Sequence, residues 1–150
     1  MKNNNSILFA ARHKARFALV QALYQWHLAQ ENISEIEIQF LTHTATKKID
    51  KTYFSELLRN IPLHLEELQT QFTSFLDRPL KDLDPVELMI LYIGTYELLY
   101  RKDIPYKVII NEALELTKTF GSVEGFKFVN GILDKVAKEL RKEEKNKNSP

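Results

Sequence analysis

The sequence contains no cysteine, and this absence excludes several classes of protein. Without cysteine the chain has no disulfide framework, no thiolate metal ligand and no thiol nucleophile. A chain without disulfides suits a reducing compartment. The polar start MKNNNSILFA has an apolar run too short for a signal peptide. We therefore expect a cytoplasmic protein.

Glycine and proline are scarce, with four and five in 150 residues, and long apolar runs are missing. Both residues interrupt regular structure, so their scarcity favours helices. No stretch alternates at a period of two, which argues against a sheet. The longest apolar run, LMILYIG, is far too short to cross a bilayer. We expect an all-α, single-domain helical bundle over residues 1–150, with flexible tails at 1–8 and 141–150.

Apolar residues that recur every three to four positions predict six helical segments. They cover residues 9–30, 34–42, 50–76, 85–100, 105–120 and 123–140. The third segment is expected to bend or split at Pro62. The fourth is apolar nearly all round, which is typical of a helix buried at the centre of a bundle. Gly94 within it could admit a close neighbour.

Several helix ends have a chemical cause in the sequence. Asp84 can cap the helix that follows it, and Pro85 fits the first helical position. Gly121 can close one helix in a left-handed conformation. Ser122 can then cap the next helix.

No arrangement of residues supports catalysis. The four histidines are scattered without the spacing of metal ligands, and no glycine-rich loop could hold a nucleotide. Pairs of acidic residues lack a convergent base or nucleophile. We therefore expect a binding protein rather than an enzyme, with neither a cofactor nor a metal.

Acidic residues are absent before Glu31, although the whole chain has a formal net charge of only +1. The early segment AARHKAR contains Arg12, His13, Lys14 and Arg16. On a helix, the two arginines and the histidine lie outside the predicted core stripe, beside Phe17 and Tyr24. Basic groups pair with phosphates and aromatic faces stack on bases, so this edge could bind RNA. The alternative is that the charges are only solvated and the aromatics pack on other helices.

The last predicted helix has a second aromatic outside its core stripe. Phe128 lies on the side that carries Lys127, Gly131 and Lys135. An aromatic among lysines near a helix start fits a nucleic-acid contact, and packing against a loop fits equally well. Gly131 could admit another helix or the backbone of a ligand.

Several longer motifs resemble one family. The stretch DIPYKVIINEALELTKTFG at residues 103–121, followed by KFVNGILDK at 127–135, resembles the NusB family of transcription antitermination factors. The early stretch ARHKARFALVQALYQW resembles the arginine-rich start and first helix of that family. YFSELL and YELLYRKDIPY match as well. The resemblance runs from about residue 11 to residue 138.

This resemblance implies a fold of two packed helical subbundles, with about six or seven helices. It also implies binding to boxA RNA of nascent transcripts, notably from ribosomal RNA operons, together with the small-subunit ribosomal protein NusE. Contact with other Nus factors and RNA polymerase would follow within the antitermination complex. The oligomeric state stays open, with a homodimer as one option. A helical protein–protein adaptor that does not bind RNA is the alternative function.

The resemblance also assigns roles to individual residues. The RNA-binding positions that it implies are Arg12, His13, Lys14, Arg16, Glu124, Lys127 and Phe128. The positions that would meet the ribosomal partner are Tyr24 and Glu87. His13 and Lys14 stand where the family usually has arginines. Lysine lacks the bidentate fork of arginine, and histidine is mostly neutral at pH 7, so somewhat weaker or more pH-dependent phosphate binding is expected.

Overall fold

The computed structural model describes residues 4–43 and 48–147, with side chains for 6–43 and 48–144. Every regular element in these ranges is helical, which confirms the all-α class. The chain divides into two compact units, residues 1–63 and 64–150, which correspond to the two helical subbundles expected. None of the described helices combines the length and the apolar character that a membrane span requires.

The first unit contains three helices, α1 (Asn4–Ala29), α2 (Ile33–Thr42) and α3 (Lys51–Leu63). Helix α1 packs against both α2 and α3, so more of its circumference is buried than a single stripe would cover. The buried side chains of α1 are Ala15, Arg16, Ala18, Leu19, Val20, Ala22 and Leu23. They meet an apolar core that includes Ile36, Phe54, Leu57 and Leu58.

The second unit begins with α4 (Leu65–Phe72), two 3₁₀ turns at Thr73–Phe75 and Leu80–Asp82, and α5 (Pro85–Tyr100). It continues with α6 (Tyr106–Phe120), α7 (Val123–Leu140) and α8 (Lys142–Lys147). The expected break at Pro62 is confirmed, because α3 ends at Leu63 and α4 starts two residues later.

Helix α5 is the central helix of the second unit, as its apolar sequence predicted. Every residue from Leu88 to Leu98 is buried, and α4, α6 and α7 pack around it. A methyl group added at Gly94 would lie 2.8 Å from Cδ1 of Leu133. Gly94 therefore lets α7 approach closely, as predicted.

Three of the four predicted helix-end roles are confirmed, and Pro85 is the first residue of α5 as expected. The carboxylate of Asp84 accepts hydrogen bonds from the amides of Val86 and Glu87 at 2.8 and 3.1 Å. The hydroxyl of Ser122 accepts one from the amide of Gly125 at 3.0 Å. The prediction for Gly121 is wrong: its φ of −115° is extended rather than left-handed. The chain leaves α6 in an extended conformation and enters α7 directly.

The flexibility of residues 1–8 and 141–150 stays a prediction, and in the described residues helix extends into both segments. The chain is already helical at Asn4, because α1 extends without interruption toward the N-terminus. Arg141 is only 4% exposed, and its guanidinium donates hydrogen bonds to the backbone carbonyls of Glu97, Leu98, Arg101 and Ile104. Residues 1–3 and 148–150 of the predicted tails lie outside the described residues.

Candidate nucleic-acid interface

The first surprise in the basic segment is Arg16, which is only 2% exposed. Its guanidinium donates a hydrogen bond to the hydroxyl of Tyr53 at 3.3 Å and lies 5.2 Å from the centroid of that ring. The expectation that Arg16 faces solvent is therefore wrong. The physical reason is the packing of α1 on α3, which covers the side of α1 next to the alanine stripe.

Arg12 is partly buried beside the same tyrosine. Its guanidinium lies 5.1 Å from the centroid of the Tyr53 ring, and its side chain is 23% exposed. Its Nε is 3.5 Å from the carboxylate of Asp50. Asp50 also accepts a hydrogen bond from the amide of Tyr53 at 3.0 Å and donates its own amide to the carbonyl of Ala11 at 3.1 Å. The start of α3 is thereby tied to α1 at the level of Arg12.

His13 and Lys14 occupy the more accessible side of α1. Lys14 is exposed and His13 is half-buried. The imidazole of His13 lies between two phenylalanines: its centroid is 6.5 Å from that of Phe9 and 4.9 Å from that of Phe17. The basic segment thus has a buried part, which holds α3, and an accessible part, which carries an amine and aromatic rings.

Phe128 in the second unit is half-buried and has a cationic neighbour. The guanidinium of Arg78 lies 5.2 Å from the centroid of the Phe128 ring. Arg78 also pairs with Asp77 at 2.9 Å. Arg78 therefore lies over one face of the Phe128 ring. The sequence contains no sign of this contact, because the two residues are 50 positions apart.

Glu124 and Lys127 lie in the first two turns of α7 and are both exposed. A shallow cleft of about 410 Å³ lies beside Lys127, between the end of α6 and the start of α7. Its lining is mainly apolar and includes Val123 and Phe126. The amine of Lys118 is 5.7 Å from the centroid of the Phe126 ring. This end of the second unit therefore combines cationic groups with accessible apolar surface.

Glu87 lies against the first turn of α7. A methyl group added at Gly125 would be 2.6 Å from Oε2 of Glu87, so the carboxylate rests on the glycine backbone. Burial raises the pKa of Glu87, the nearby carboxylate of Asp84 raises it further, and Arg78 opposes both. Ionisation of Glu87 is therefore less favourable than for an exposed glutamate, and an additional cation nearby would stabilise its carboxylate.

The residues predicted to bind RNA or the partner protein are divided between the two units. Tyr24 is half-buried on α1 in the first unit, ten residues beyond Lys14. Glu87, Glu124, Lys127 and Phe128 all belong to the second unit. In the described parts of the chain, no group of three or more histidine, aspartate and glutamate residues could hold a metal ion.

The residues that sequence reasoning missed are Tyr53, Asp50 and Arg78. Asp50 carried a usable signal, because an aspartate directly before an apolar helical pattern often caps the helix. Tyr53 was assigned to a helix, but no sequence feature showed that its hydroxyl would meet Arg16. The pairing of Arg78 with Phe128 depends on the turns between α4 and α5, whose course the sequence does not determine.

Two helical units, a basic first helix and accessible aromatics beside cationic side chains define an all-α binding protein. Residues 13–138 match the NusB family. The chain belongs to the NusB family.

Proteins of known sequence agree with that assignment. A protein of Idiomarina loihiensis named transcription antitermination protein NusB is 52% identical over 132 residues, covering 88% of this chain and 95% of its own length. A protein of Alcanivorax borkumensis with the same name is 46% identical over 147 residues, covering 98% of both chains.

Solved structures agree as well. The NusB of T. maritima superposes with a TM-score of 0.79 at 34% identity, covering 90% of this chain and 96% of its own. A crystal structure of antitermination factors NusB and NusE in complex with dsRNA matches with a TM-score of 0.73 at 25% identity. That match covers 87% of this chain and 98% of the other.

Proposed function

We propose that this chain is a transcription antitermination factor that binds boxA RNA of nascent transcripts, notably from ribosomal RNA operons, as a heterodimer with the ribosomal protein NusE. The observation that carries the proposal is the near-complete match to proteins named transcription antitermination protein NusB. A structural neighbour that holds NusB, NusE and dsRNA together supports the two partners. Other Nus factors and RNA polymerase would be reached through the same complex.

The role of the chain in this proposal is binding rather than catalysis. A protein that recognises RNA through phosphates and bases needs cationic groups and accessible aromatic faces. Both occur in each unit, on α1 and at the start of α7. Phosphate pairing by cations and base stacking on aromatic rings both proceed without a metal or a cofactor.

In the first unit, Lys14 and His13 would meet the RNA directly. Lys14 is exposed, and His13 is accessible between two aromatic neighbours. Arg12 would contribute a partly exposed guanidinium, held in place by Asp50. Arg16 would act indirectly, because its contact with Tyr53 fixes the helix that presents the other three residues.

In the second unit, Lys127 and Phe128 would contact RNA at the start of α7, and Glu124 would adjust the affinity through its negative charge. Phe128 is supported from one side by Arg78. A base stacked on the accessible part of the ring would gain from both the ring and the guanidinium.

Tyr24 and Glu87 would contact NusE. The carboxylate of Glu87 is partly desolvated and its pKa is raised, so a cationic side chain of a basic ribosomal protein would find a charge with little competing hydration. Tyr24 offers a half-buried ring with a polar end, a combination common at protein interfaces.

The test is RNA binding with and without NusE at two salt concentrations. We expect boxA RNA to bind more tightly in the presence of NusE, and the affinity to fall with salt because phosphate neutralisation releases counterions. Lys14→Ala should lower the logarithmic salt slope by about 0.7, the value for one phosphate on a single strand. Lys107→Ala is the matched control, since it removes one exposed lysine from α6.

Two results would contradict the proposal. Equal affinity of the NusE complex for boxA and scrambled RNA would remove sequence recognition. Binding of NusE without any binding of RNA would instead favour a helical protein–protein adaptor, the alternative function.

A further inference from the structure

Three aromatic side chains follow one another along the accessible side of α1. Phe9, His13 and Phe17 are spaced four residues apart, so they lie above one another on a single face of the helix. We call these three residues the aromatic ladder. Phe9 is 50% exposed, whereas His13 and Phe17 are half-buried. The ladder therefore becomes more accessible toward the start of the helix.

The two steps of the ladder differ in geometry. His13 and Phe17 are in contact, with centroids 4.9 Å apart and planes tilted by 60°, which is a favourable arrangement for two aromatic rings. Phe9 and His13 are nearly parallel, at 14°, but their centroids are 6.5 Å apart. The step from Phe9 to His13 is thus the wider of the two, and we call it the open step.

The width of the open step can be compared with the space that a planar base needs. Bases in a nucleic acid repeat about every 3.4 Å along each strand. A base stacked between two rings therefore needs those rings about 6.8 Å apart. The centroid separation of 6.5 Å between Phe9 and His13 is the upper limit of the gap between their ring planes, so the exposed Phe9 side chain must rotate outward to admit a base.

The surroundings of the open step favour an anionic ligand. Lys14 is exposed and follows His13 around the helix. No acidic residue precedes Glu31 in the chain, so no carboxylate of the same helix would repel a phosphate there. A protein partner could bind this surface through apolar contacts alone, without using Lys14. A nucleotide would use the rings through its base and the amine of Lys14 through its phosphate.

We propose that Phe9 and His13 form a slot for one unpaired base of a single-stranded RNA, with Lys14 contacting a neighbouring phosphate. Phe17 supports His13 from behind, so that the slot opens by movement of Phe9 alone. This slot rests on the proposed function and adds a base contact to what phosphate binding would supply. Because stacking accepts every base, the slot contributes affinity and register rather than sequence preference.

The experiment measures binding of a single-stranded boxA RNA of about 12 nucleotides to the complex with NusE. Phe9→Leu keeps an apolar side chain but removes the ring, and it should weaken binding by about fivefold to a hundredfold, the range for one stacked base. Its salt slope should equal that of the original chain, because no charge changes. Phe9→Tyr keeps the ring and should bind as the original chain does.

Leu8→Ala is the matched control, because Leu8 is an exposed apolar residue next to Phe9 on the same helix. It should leave RNA affinity unchanged. An equal loss for Leu8→Ala and Phe9→Leu would overturn the slot in favour of a general apolar contact. Loss of NusE affinity in Phe9→Leu, with RNA affinity retained, would overturn it in favour of a protein contact.

A spectroscopic measurement tests stacking directly. RNA that carries 2-aminopurine in place of single adenines should show quenched fluorescence at one position on binding, and Phe9→Leu should restore the emission at that position. Equal quenching at every position in both variants would overturn the slot. If the original chain with NusE does not bind RNA at all, the proposed function itself fails; if it binds and Phe9→Leu binds equally well, only the slot fails.

Discussion

The guanidinium of Arg16 and the ring of Tyr53 form a buried pair between α1 and α3, with a hydrogen bond of 3.3 Å and a centroid distance of 5.2 Å. An arginine in a basic segment would ordinarily be taken as a phosphate ligand. Here its charge is used inside the first unit, where a planar cation lies against an aromatic ring. The basic segment therefore combines structural and accessible residues at adjacent helical turns.

We expect Arg16→Ala to lower the free energy of unfolding by about 2–4 kcal/mol, since it removes a charged hydrogen bond and a desolvated cation–π contact. Urea denaturation followed by circular dichroism measures this change. Lys14→Ala is the control and should change stability by less than about 0.5 kcal/mol, because its side chain is exposed. Weaker RNA binding by Arg16→Ala at full stability would show that Arg16 contacts RNA directly.

Two glycines inside helices should respond in opposite directions to the same substitution. Gly131 is exposed in α7, and a methyl group added there meets no atom within 4 Å. Gly131→Ala should therefore stabilise the protein by about 0.5–1 kcal/mol through helix propensity. Gly94→Ala would bring a methyl group 2.8 Å from the buried Leu133 and should destabilise by about 1–3 kcal/mol. Thermal unfolding of both variants measures the difference.

The same substitution at Gly131 tests whether a ligand needs the space. If RNA passes close to the α7 backbone there, Gly131→Ala will be more stable but will bind RNA less tightly. We expect unchanged RNA affinity, because the proposed contacts of α7 lie in its first two turns. A loss of affinity would extend the interface along the helix.

Arg141 should be among the most sensitive residues to substitution. Its guanidinium donates hydrogen bonds to the carbonyls of Leu98 and Arg101 at 2.9 Å and of Ile104 at 3.0 Å, and to the carboxylate of Glu144 at 2.6 Å. Arg141→Ala should lower the free energy of unfolding by about 3–5 kcal/mol. It removes the hydrogen bonds to the carbonyls of Leu98 and Ile104 and leaves the carboxylate of Glu144 without its cation. Arg141→Lys should recover only part of this, since an ammonium cannot span the same set of acceptors. Chemical denaturation of the two variants measures both costs.

The stability contributed by Glu144 should disappear in acid. Burial of its carboxylate opposes ionisation, but the amide of Tyr106 and the guanidinium of Arg141 outweigh that effect, so the pKa of Glu144 lies below its ordinary value of 4.5. Its contribution is then fully present above pH 4.5 and is lost as pH falls through the lowered pKa. Glu144→Gln should be less stable than the original chain at pH 7, and the difference should shrink below pH 4. A difference independent of pH would exclude ionisation as the cause.

Glu87 should show the opposite dependence. Because burial and Asp84 raise its pKa above 4.5, its ionisation costs stability as pH rises through that raised pKa. Glu87→Gln should therefore be as stable as the original chain in acid and more stable at pH 7, as measured by thermal unfolding between pH 3 and 8.

The same variant should bind NusE less tightly. A gain in stability together with a loss of partner affinity would identify a carboxylate that is retained for binding. Unchanged affinity for NusE would remove Glu87 from that interface. Glu66→Gln is the matched control, because Glu66 is an exposed acid of the same unit whose substitution should affect neither property strongly.

The helices were predictable where local chemistry determines them. The cap at Asp84 and the apolar circumference of α5 depend on neighbouring residues, and both predictions are confirmed. Arg16 was mispredicted because a helical stripe drawn from apolar residues cannot show that two helices pack on α1. The side of α1 that faces α3 includes the guanidinium of Arg16. Its burial is compensated by the hydrogen bond and ring contact with Tyr53, which is 37 residues away in the sequence.

The burial of Arg141 was missed for the same physical reason. Residues 142–148 are all lysines, glutamates and asparagines, a composition typical of a flexible tail. Arg141 directly precedes them. Arg141 is buried because the end of α5 exposes carbonyls that no side chain of α5 satisfies. Such long-range pairs are invisible to periodicity, and the roles of Lys14, Phe128 and Glu87 remain predictions that binding measurements must test.

The acceptor carbonyl of Leu98 precedes its donor, Arg141, by 43 residues. A ribosome adds about 5–20 residues per second, so the end of α5 waits roughly 2–9 seconds for that arginine after it is synthesised. In the first unit the order is reversed, since the donor Arg16 is made 37 residues before its acceptor Tyr53. During synthesis, the arginine in α1 is ready when its tyrosine emerges, whereas the last turn of α5 stays hydrated until nearly all of the second unit has been made.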